Sequence, residues 1–191
     1  MPEDDRELMA VAAGGSRAAF DALVRRWSAR LLSFFFRQCG DRGLAEDCMQ
    51  EVFVRLYKSR DRYQPGASFA TFLFTIARHY WIDVARARRV RPDQRARGDD
   101  GGEGEDRLDR LVDQGTTPAL DAMRADDLLR LRSALSQLPE TLRDAVQLGV
   151  IESLPYSEVS AILGIPVGTV KSRVHAAVQA LRTLLVPGSG S

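Results

Sequence analysis

The run Ser157-Glu158-Val159-Ser160-Ala161-Ile162-Leu163-Gly164-Ile165-Pro166-Val167-Gly168-Thr169-Val170-Lys171-Ser172-Arg173 holds two helical periods parted by one glycine. Ser157 to Leu163 reads as a short helix, Gly164 supplies the positive φ of a sharp turn, and Val167 to Leu185 continues as a longer helix. Val159, Ile162 and Leu163 on the first helix face Val170, Val174, Val178 and Leu181 on the second, a helix-turn-helix pattern. Subtracting those core positions leaves Thr169, Lys171, Ser172, Arg173, His175 and Gln179 outward, with no acid to repel phosphate. That face suits a major groove: Lys171 can reach a guanine edge or a phosphate, and Ser172 and His175 are short donors or acceptors. The helix start near Gly168 and Thr169 can cap a phosphate oxygen. The same residues would equally form the solvated side of an ordinary helical hairpin.

Upstream, helical spacing recurs and no stretch alternates as a strand does, so the chain reads as all-α. Phe20, Leu23, Val24, Trp27, Leu31 and Leu32 form one stripe, begun by a Ser16 N-cap and stopped at Gly40. Met49, Val52, Phe53, Leu56 and Tyr57 form a second, on a helix over about Leu44 to Lys58 whose outward set is Asp47, Gln50, Glu51, Arg55 and Lys58. After a Pro65-Gly66 loop, a third helix spans roughly Phe69 to Arg89, with Leu73, Ile76, Ala77 and Tyr80 inward. A further unit begins near Pro118, with Pro139 in the first turn of its next helix. The boundaries expected are a helical domain over 1–90, a flexible acidic linker over 91–117 and a helical domain over 118–186, within 191 residues that are 45% apolar.

Net charge is only +1, but it is sorted along the chain. Arg78 to Arg97 holds seven Arg against two Asp, and Ile165 to Leu185 holds Lys171, Arg173 and Arg182 with no acid. Between them, Asp99 to Asp127 holds ten acids against three Arg. That acidic block reads either as a spacer extended by self-repulsion or as an active element. Tyr63, Phe69, Phe72, Phe74, Tyr80 and Trp81 lie beside the first basic stretch, a pairing of stacking faces with cations that fits separated DNA strands, although each ring alone is as readily a core residue.

The acidic N-terminus lacks a signal-peptide pattern, and no run approaches the ~20 apolar residues of a membrane span, so a cytoplasmic setting without membrane insertion is expected. Cys39 and Cys48 are too few for a disulfide framework and lie far in sequence from His79 and His175, so no metal is expected. Cys48 beside Asp47 is a poor candidate for a redox switch, because a carboxylate raises a thiol pKa. No phosphate-binding glycine loop and no nucleophile paired with histidine appears; neither an enzyme, nor a cofactor, nor a small-molecule substrate is expected.

Two segments resemble those of one family. Ala45-Glu46-Asp47-Cys48-Met49-Gln50-Glu51-Val52-Phe53-Val54-Arg55-Leu56 is similar to the polymerase-binding helix, and Leu163 to Arg173 to the region 4 recognition motif, of the extracytoplasmic-function (ECF) sigma factors of the bacterial sigma-70 family. The resemblance spans about Phe20 to Leu185 and implies a region 2 bundle joined to a region 4 helix-turn-helix in a transcription initiation factor. It implies that Asp47, Gln50, Glu51 and Arg55 dock on the largest subunit of core RNA polymerase, and that region 4 touches the second-largest. Minus-10 promoter DNA, melted and with a base flipped, would meet Ser68, Phe69, Thr71, Phe72, Arg78, His79, Asp83 and Arg86. Minus-35 duplex would meet Thr169, Lys171, Ser172, Arg173 and His175. An anti-sigma factor is a common partner in the family, and in relatives the linker threads toward the active-site cleft, where this acidic block would mimic nucleic acid.

Departures from the family pattern are Phe72 for tryptophan, His79 for asparagine, Pro155 for a capping serine, Ser160 for alanine, and Ala176 and Val178 for arginines. Two alternatives stay open at this point: a dimeric helix-turn-helix regulator that binds a palindrome unaided, and a helical protein-interaction adaptor.

Overall fold

A computed structural model describes residues 4–64, 68–90 and 118–185, so most of the Pro65-Gly66 loop and the whole expected linker lie outside the described residues. The first element is one the periodicity above does not identify: α1, Asp5–Ala13, capped by the Asp4 carboxylate, which accepts from the Arg6 N–H at 3.0 Å. Its acids sit where the helix dipole favours them, and Leu8, Met9 and Ala12 are buried. Asp5 reaches α2, accepting from Arg26 at 2.6 Å and from the Trp27 indole at 3.0 Å.

α2, Arg17–Cys39, begins where Ser16 Oγ accepts from the Ala19 N–H (3.3 Å) and ends at Gly40, whose φ of +72° closes the helix. One residue later Asp41 caps α3, Arg42–Lys58, by accepting from the Leu44 N–H at 3.0 Å. A 3₁₀ turn over Arg60–Arg62 leads toward α4, Phe69–Val90. Leu23, Leu31, Phe35, Val52, Leu56, Leu73 and Phe74 lose essentially all contact with water, each burial contributing about 1.5–3 kcal/mol. Trp27, Phe34 and Phe74 pack edge-on or tilted at 5.2–6.2 Å between ring centres, which locks α2 against α4.

The second unit comprises α5, Pro118–Gln137; α6, Glu140–Val146; α7, Tyr156–Leu163; and α8, Val167–Leu185. Pro139 is the N-cap of α6, one position before the first turn where it was expected. Arg143 finishes α5 from outside: its guanidinium donates to the carbonyls of Leu135 (2.9 Å), Ser136 (3.2 Å) and Leu138 (3.0 Å) around the helix end, where the Leu135 carbonyl also accepts from the Leu138 N–H at 3.1 Å. Ala134, Leu135 and Leu138 pack there on Val146, Ala177 and Leu181.

α6 runs into a π-helical turn, Gln147–Ile151. A Cβ on Gly149 would stand 3.1 Å from the Tyr156 ring and 3.4 Å from Val174, so glycine permits this close approach. Between α7 and α8, Gly164 has φ +66° and donates to the Ser160 carbonyl at 2.9 Å, while the Ser160 hydroxyl donates to the Ile165 carbonyl. The departure at Ser160 therefore adds a tie to the turn. Pro155, at the N-cap of α7, makes no side-chain cap bond.

Candidate functional site

Three faces carry the residues singled out by sequence, and each is set by which stripe of its helix the core takes. On α3 the core takes Ala45, Cys48, Val52, Phe53 and Leu56. Asp47, Gln50 and Lys58 are exposed. Glu51 and Arg55 are half-buried and paired, with Arg55 Nε 2.8 Å from Glu51 Oε1 and its guanidinium 4.4 Å from the centre of the Tyr80 ring. Arg55 thus already has two partners within the unit. Tyr57, expected inward, is instead 44% exposed, edge-on to Phe20 at 5.1 Å and covered by Arg60 at 4.2 Å. The core stripe turns away from Tyr57 because Val52 and Leu56 fill the contact with α2 and α4. Val54 joins it at 44% exposure, giving the polar face an apolar centre that the sequence reading missed. The available signal was a valine in the stripe of Asp47, Gln50 and Glu51.

On α4 the candidate residues divide among three directions. Phe69 is only 2% exposed and stands 5.3 Å from Trp27, so in this structure it is a core residue and not a ring open to a base. Phe72, His79, Asp83 and Arg86, spaced at helical repeats, lie along the outer side; His79, Asp83 and Arg86 are exposed, and Phe72 is half-buried against Tyr63 at 5.4 Å. Asp83 and Arg86, with Ala87 and Val90, line a shallow cavity of about 400 Å³. Ser68, Thr71 and Arg78 face the second unit. The Ser68 and Thr71 hydroxyls donate to Glu158 Oε2 at 2.8 and 2.6 Å, and Arg78 Nε meets Asp144 Oδ2 at 3.2 Å.

On α8, Lys171, Ser172, His175 and Gln179 are exposed, whereas Thr169 and Arg173 are half-buried. Ser172 Oγ donates to the Thr169 carbonyl at 3.0 Å, and no carboxylate belongs to this helix. Of the expected stripe Val170, Val174 and Leu181 are buried, while Ala177 takes the inward place expected of Val178, which is half-buried.

Burial pushes the Cys48 thiol up to about 12, with Cys39 and Asp47 adding to the rise, and raises Cys39 as well. Neither thiol is poised as a nucleophile. Among the described residues no group of three His, Cys, Asp or Glu side chains stands together as a metal site, and no helix is long and apolar enough to cross a membrane.

Comparisons agree with this architecture. Residues 23–91 match the model of Sigma-70 region 2, and residues 128–181 match that of Sigma-70, region 4. The chain is 36% identical to the ECF RNA polymerase sigma factor SigE of Mycolicibacterium smegmatis over 93% of its own length, spanning 66% of that relative. It is 33% identical to the ECF RNA polymerase sigma factor SigW of Bacillus subtilis (90% of this chain, 91% of that one) and 31% identical to the RNA polymerase sigma-H factor of Pseudomonas aeruginosa (97% and 95%). Among solved structures it is similar to CnrH in complex with the cytosolic domain of CnrY (TM-score 0.68, 27% identity, covering 95% of this chain and 96% of that one). It is also similar to the sigma factor RpoE in complex with the anti-sigma factor NepR from Bartonella quintana (TM-score 0.66, 25% identity, 87% and 96%). Both sigma domains occur in order on one chain whose described residues form helices and no strand, and the relatives span nearly its whole length: the protein belongs to the sigma-70 family, in its extracytoplasmic-function group.

Proposed function

We propose that this chain binds core RNA polymerase and directs it to specific promoters, acting by binding and strand capture with no catalysis of its own, in the cytoplasm. Residues 1–90 are the region 2 domain, 118–186 the region 4 domain, and 91–117 the segment joining them. The observation that carries the reading is the pairing, in family order, of an α4 outer side bearing Phe72, His79 and Arg86 with an acid-free α8 face. Lys171, Ser172 and His175 read base edges of the minus-35 duplex, with Thr169 and Arg173 beside them on the backbone. Phe72, His79, Asp83 and Arg86, with Ser68, Thr71 and Arg78, meet the melted minus-10 strand. Unstacking a base step costs a few kcal/mol, and stacking a freed base on an aromatic side chain returns about 1–3 kcal/mol, so capture offsets opening. Asp47, Gln50 and Glu51, around Val54 and Tyr57, dock on the largest polymerase subunit, and region 4 meets the second-largest. An anti-sigma factor is the expected inhibitor, as the solved relative in complex with the anti-sigma factor NepR suggests.

An electrophoretic shift on duplex promoter DNA, with and without core polymerase, tests the proposal. Binding is expected only with polymerase present. A strong shift by the protein alone on a palindromic duplex would favour the dimeric regulator instead.

A further inference from the structure

The seam between the two units joins acids of the second to donors of the first. Glu152, 3% exposed, receives Arg30 (Nε to Oε2, 2.6 Å) and Arg37, and its backbone carbonyl accepts from Arg30 as well. Asp144, 8% exposed, receives Arg78 at 3.2 Å and the Gln38 amide at 3.4 Å. Glu158 takes both hydroxyls, Ser68 and Thr71. Gln147, fully buried, donates to the Phe34 carbonyl at 2.9 Å, and Arg132 donates to the Gly40 carbonyl at 3.1 Å. Beneath these contacts the region 2 core continues into Leu148, Leu154, Val159 and Ile162.

Two features mark this seam as one built to part. Its polar contacts are ionic and dense, a kind of contact that water or phosphate can replace, with salt acting first at the partly exposed Arg30 and the half-buried Glu158. It also leaves Arg37 Nε, Gln38 Oε1 and Gln147 Oε1 buried without partners, a cost that opening relieves because water can then reach them. The donors that it occupies include Ser68, Thr71 and Arg78, three groups assigned above to the minus-10 strand, and the occupants are carboxylates, which share charge and acceptor chemistry with DNA phosphate.

Resting on the initiation-factor reading, we infer that the chain carries its own inhibitory latch: Glu158 and Asp144 of region 4 occupy the DNA-facing donors Ser68, Thr71 and Arg78 of region 2, and Glu152 holds the closed form by tying Arg30 and Arg37 across the seam. Single-stranded DNA and the closed form are then mutually exclusive, and capture of the minus-10 strand requires the units to separate. No partner protein is needed for this restraint.

The test uses the full chain without polymerase. Small-angle scattering measures the radius of gyration, and anisotropy measures affinity for a fluorescein-labelled 20-residue oligothymidine. Glu152→Ala/Glu158→Ala is compared with Asp61→Asn/Asp127→Asn, which changes charge equally at exposed positions outside the seam. The double alanine variant should expand by roughly 5 Å over the about 16 Å expected of one compact body of this length. It should also bind the oligonucleotide at least about threefold more tightly than the control variant, a difference well above assay error. Wild-type protein should expand likewise between 50 mM and 500 mM NaCl. Glu158→Ala alone, at a half-buried position, carries the affinity test if circular dichroism shows the double variant unfolded. Unchanged dimensions in both the variant and high salt, or equal affinities, overturn the latch. Expansion and tighter binding in a chain that never supports initiation with core polymerase would leave the latch standing and remove the reading on which it rests.

Discussion

Reversing one charge on α3 should separate docking from folding, because the structure makes the folding cost of Glu51→Lys small. Glu51 pairs with Arg55 at 2.8 Å, with the two side chains 39% and 41% exposed. A pair of this spacing contributes about 0.3–0.5 kcal/mol, and solvent screening at this exposure lowers the figure further. The new lysine faces Arg55 four residues on, a like-charge cost of similar size, and Asp47 four residues back, which offsets it. The net loss should be under about 1 kcal/mol, against about 5–15 kcal/mol for a native domain, or no more than about 4 °C in Tm at this chain length. The proposed docking face meanwhile changes by two charge units beside its apolar centre, Val54 and Tyr57. Gel filtration with core polymerase should show co-elution of wild type and none of Glu51→Lys, while melting and helicity barely move. Retained co-elution would refute the docking assignment, and a Tm drop of 10 °C would refute the energetic argument.

Four further outcomes follow from the geometry. Gly164→Ala meets no atom within 4 Å, so its cost is the backbone strain at φ +66°, about 1–2 kcal/mol, read as a Tm lowered by roughly 2–8 °C; an unchanged Tm would contradict the turn. Burial lifts the Asp144 carboxyl above 3.8 despite Arg78 and Gln38, with Glu140 adding to the lift. The folded state then holds that proton more tightly, so this group's contribution to stability is full below 3.8 and falls as pH rises through the native value. Denaturant titrations of wild type and Asp144→Asn should therefore diverge, with wild type losing ground as pH rises; a gap that widens the other way would exclude this. Cys48, raised to about 12 and fully buried, should resist iodoacetamide at pH 8 while the chain is folded, and rapid alkylation would count against the burial. Affinity for minus-35 duplex, measured for region 4 in the polymerase complex, should fall less steeply with salt than in Arg-rich relatives, since Ala176 and Val178 offer no cation and each missing phosphate contact removes about one unit of slope.

The elements legible in sequence are those whose ends carry their own chemistry. Ser16, Gly40 and Gly164 mark boundaries by a hydroxyl cap or a positive φ, so α2, α7 and α8 fall within a residue or so of expectation, and α4 ends at Val90 in place of Arg89. α1 was missed because the acids at its start read as charge, although Asp4 is a cap and Asp5 and Glu7 form a favourable first turn. The π turn has no local signature: it depends on Gly149 lying against Tyr156 and Val174. The exposed residues of α8 follow from subtracting the apolar stripe. Tyr57 and Phe69 do not, because a stripe wide enough to hold either residue on its edge leaves the final direction to packing against other helices. The seam is least legible of all, since Arg30 and Glu152, or Thr71 and Glu158, are 122 and 87 residues apart and meet only through the tertiary fold.

Run-off transcription with purified core polymerase on a library of promoter sequences tests the central claim most directly. The account predicts transcripts that depend on this chain and come from templates sharing one minus-35 and one minus-10 element. Polymerase activity that is indifferent to the chain's presence, in low salt and without any inhibitor, would contradict it.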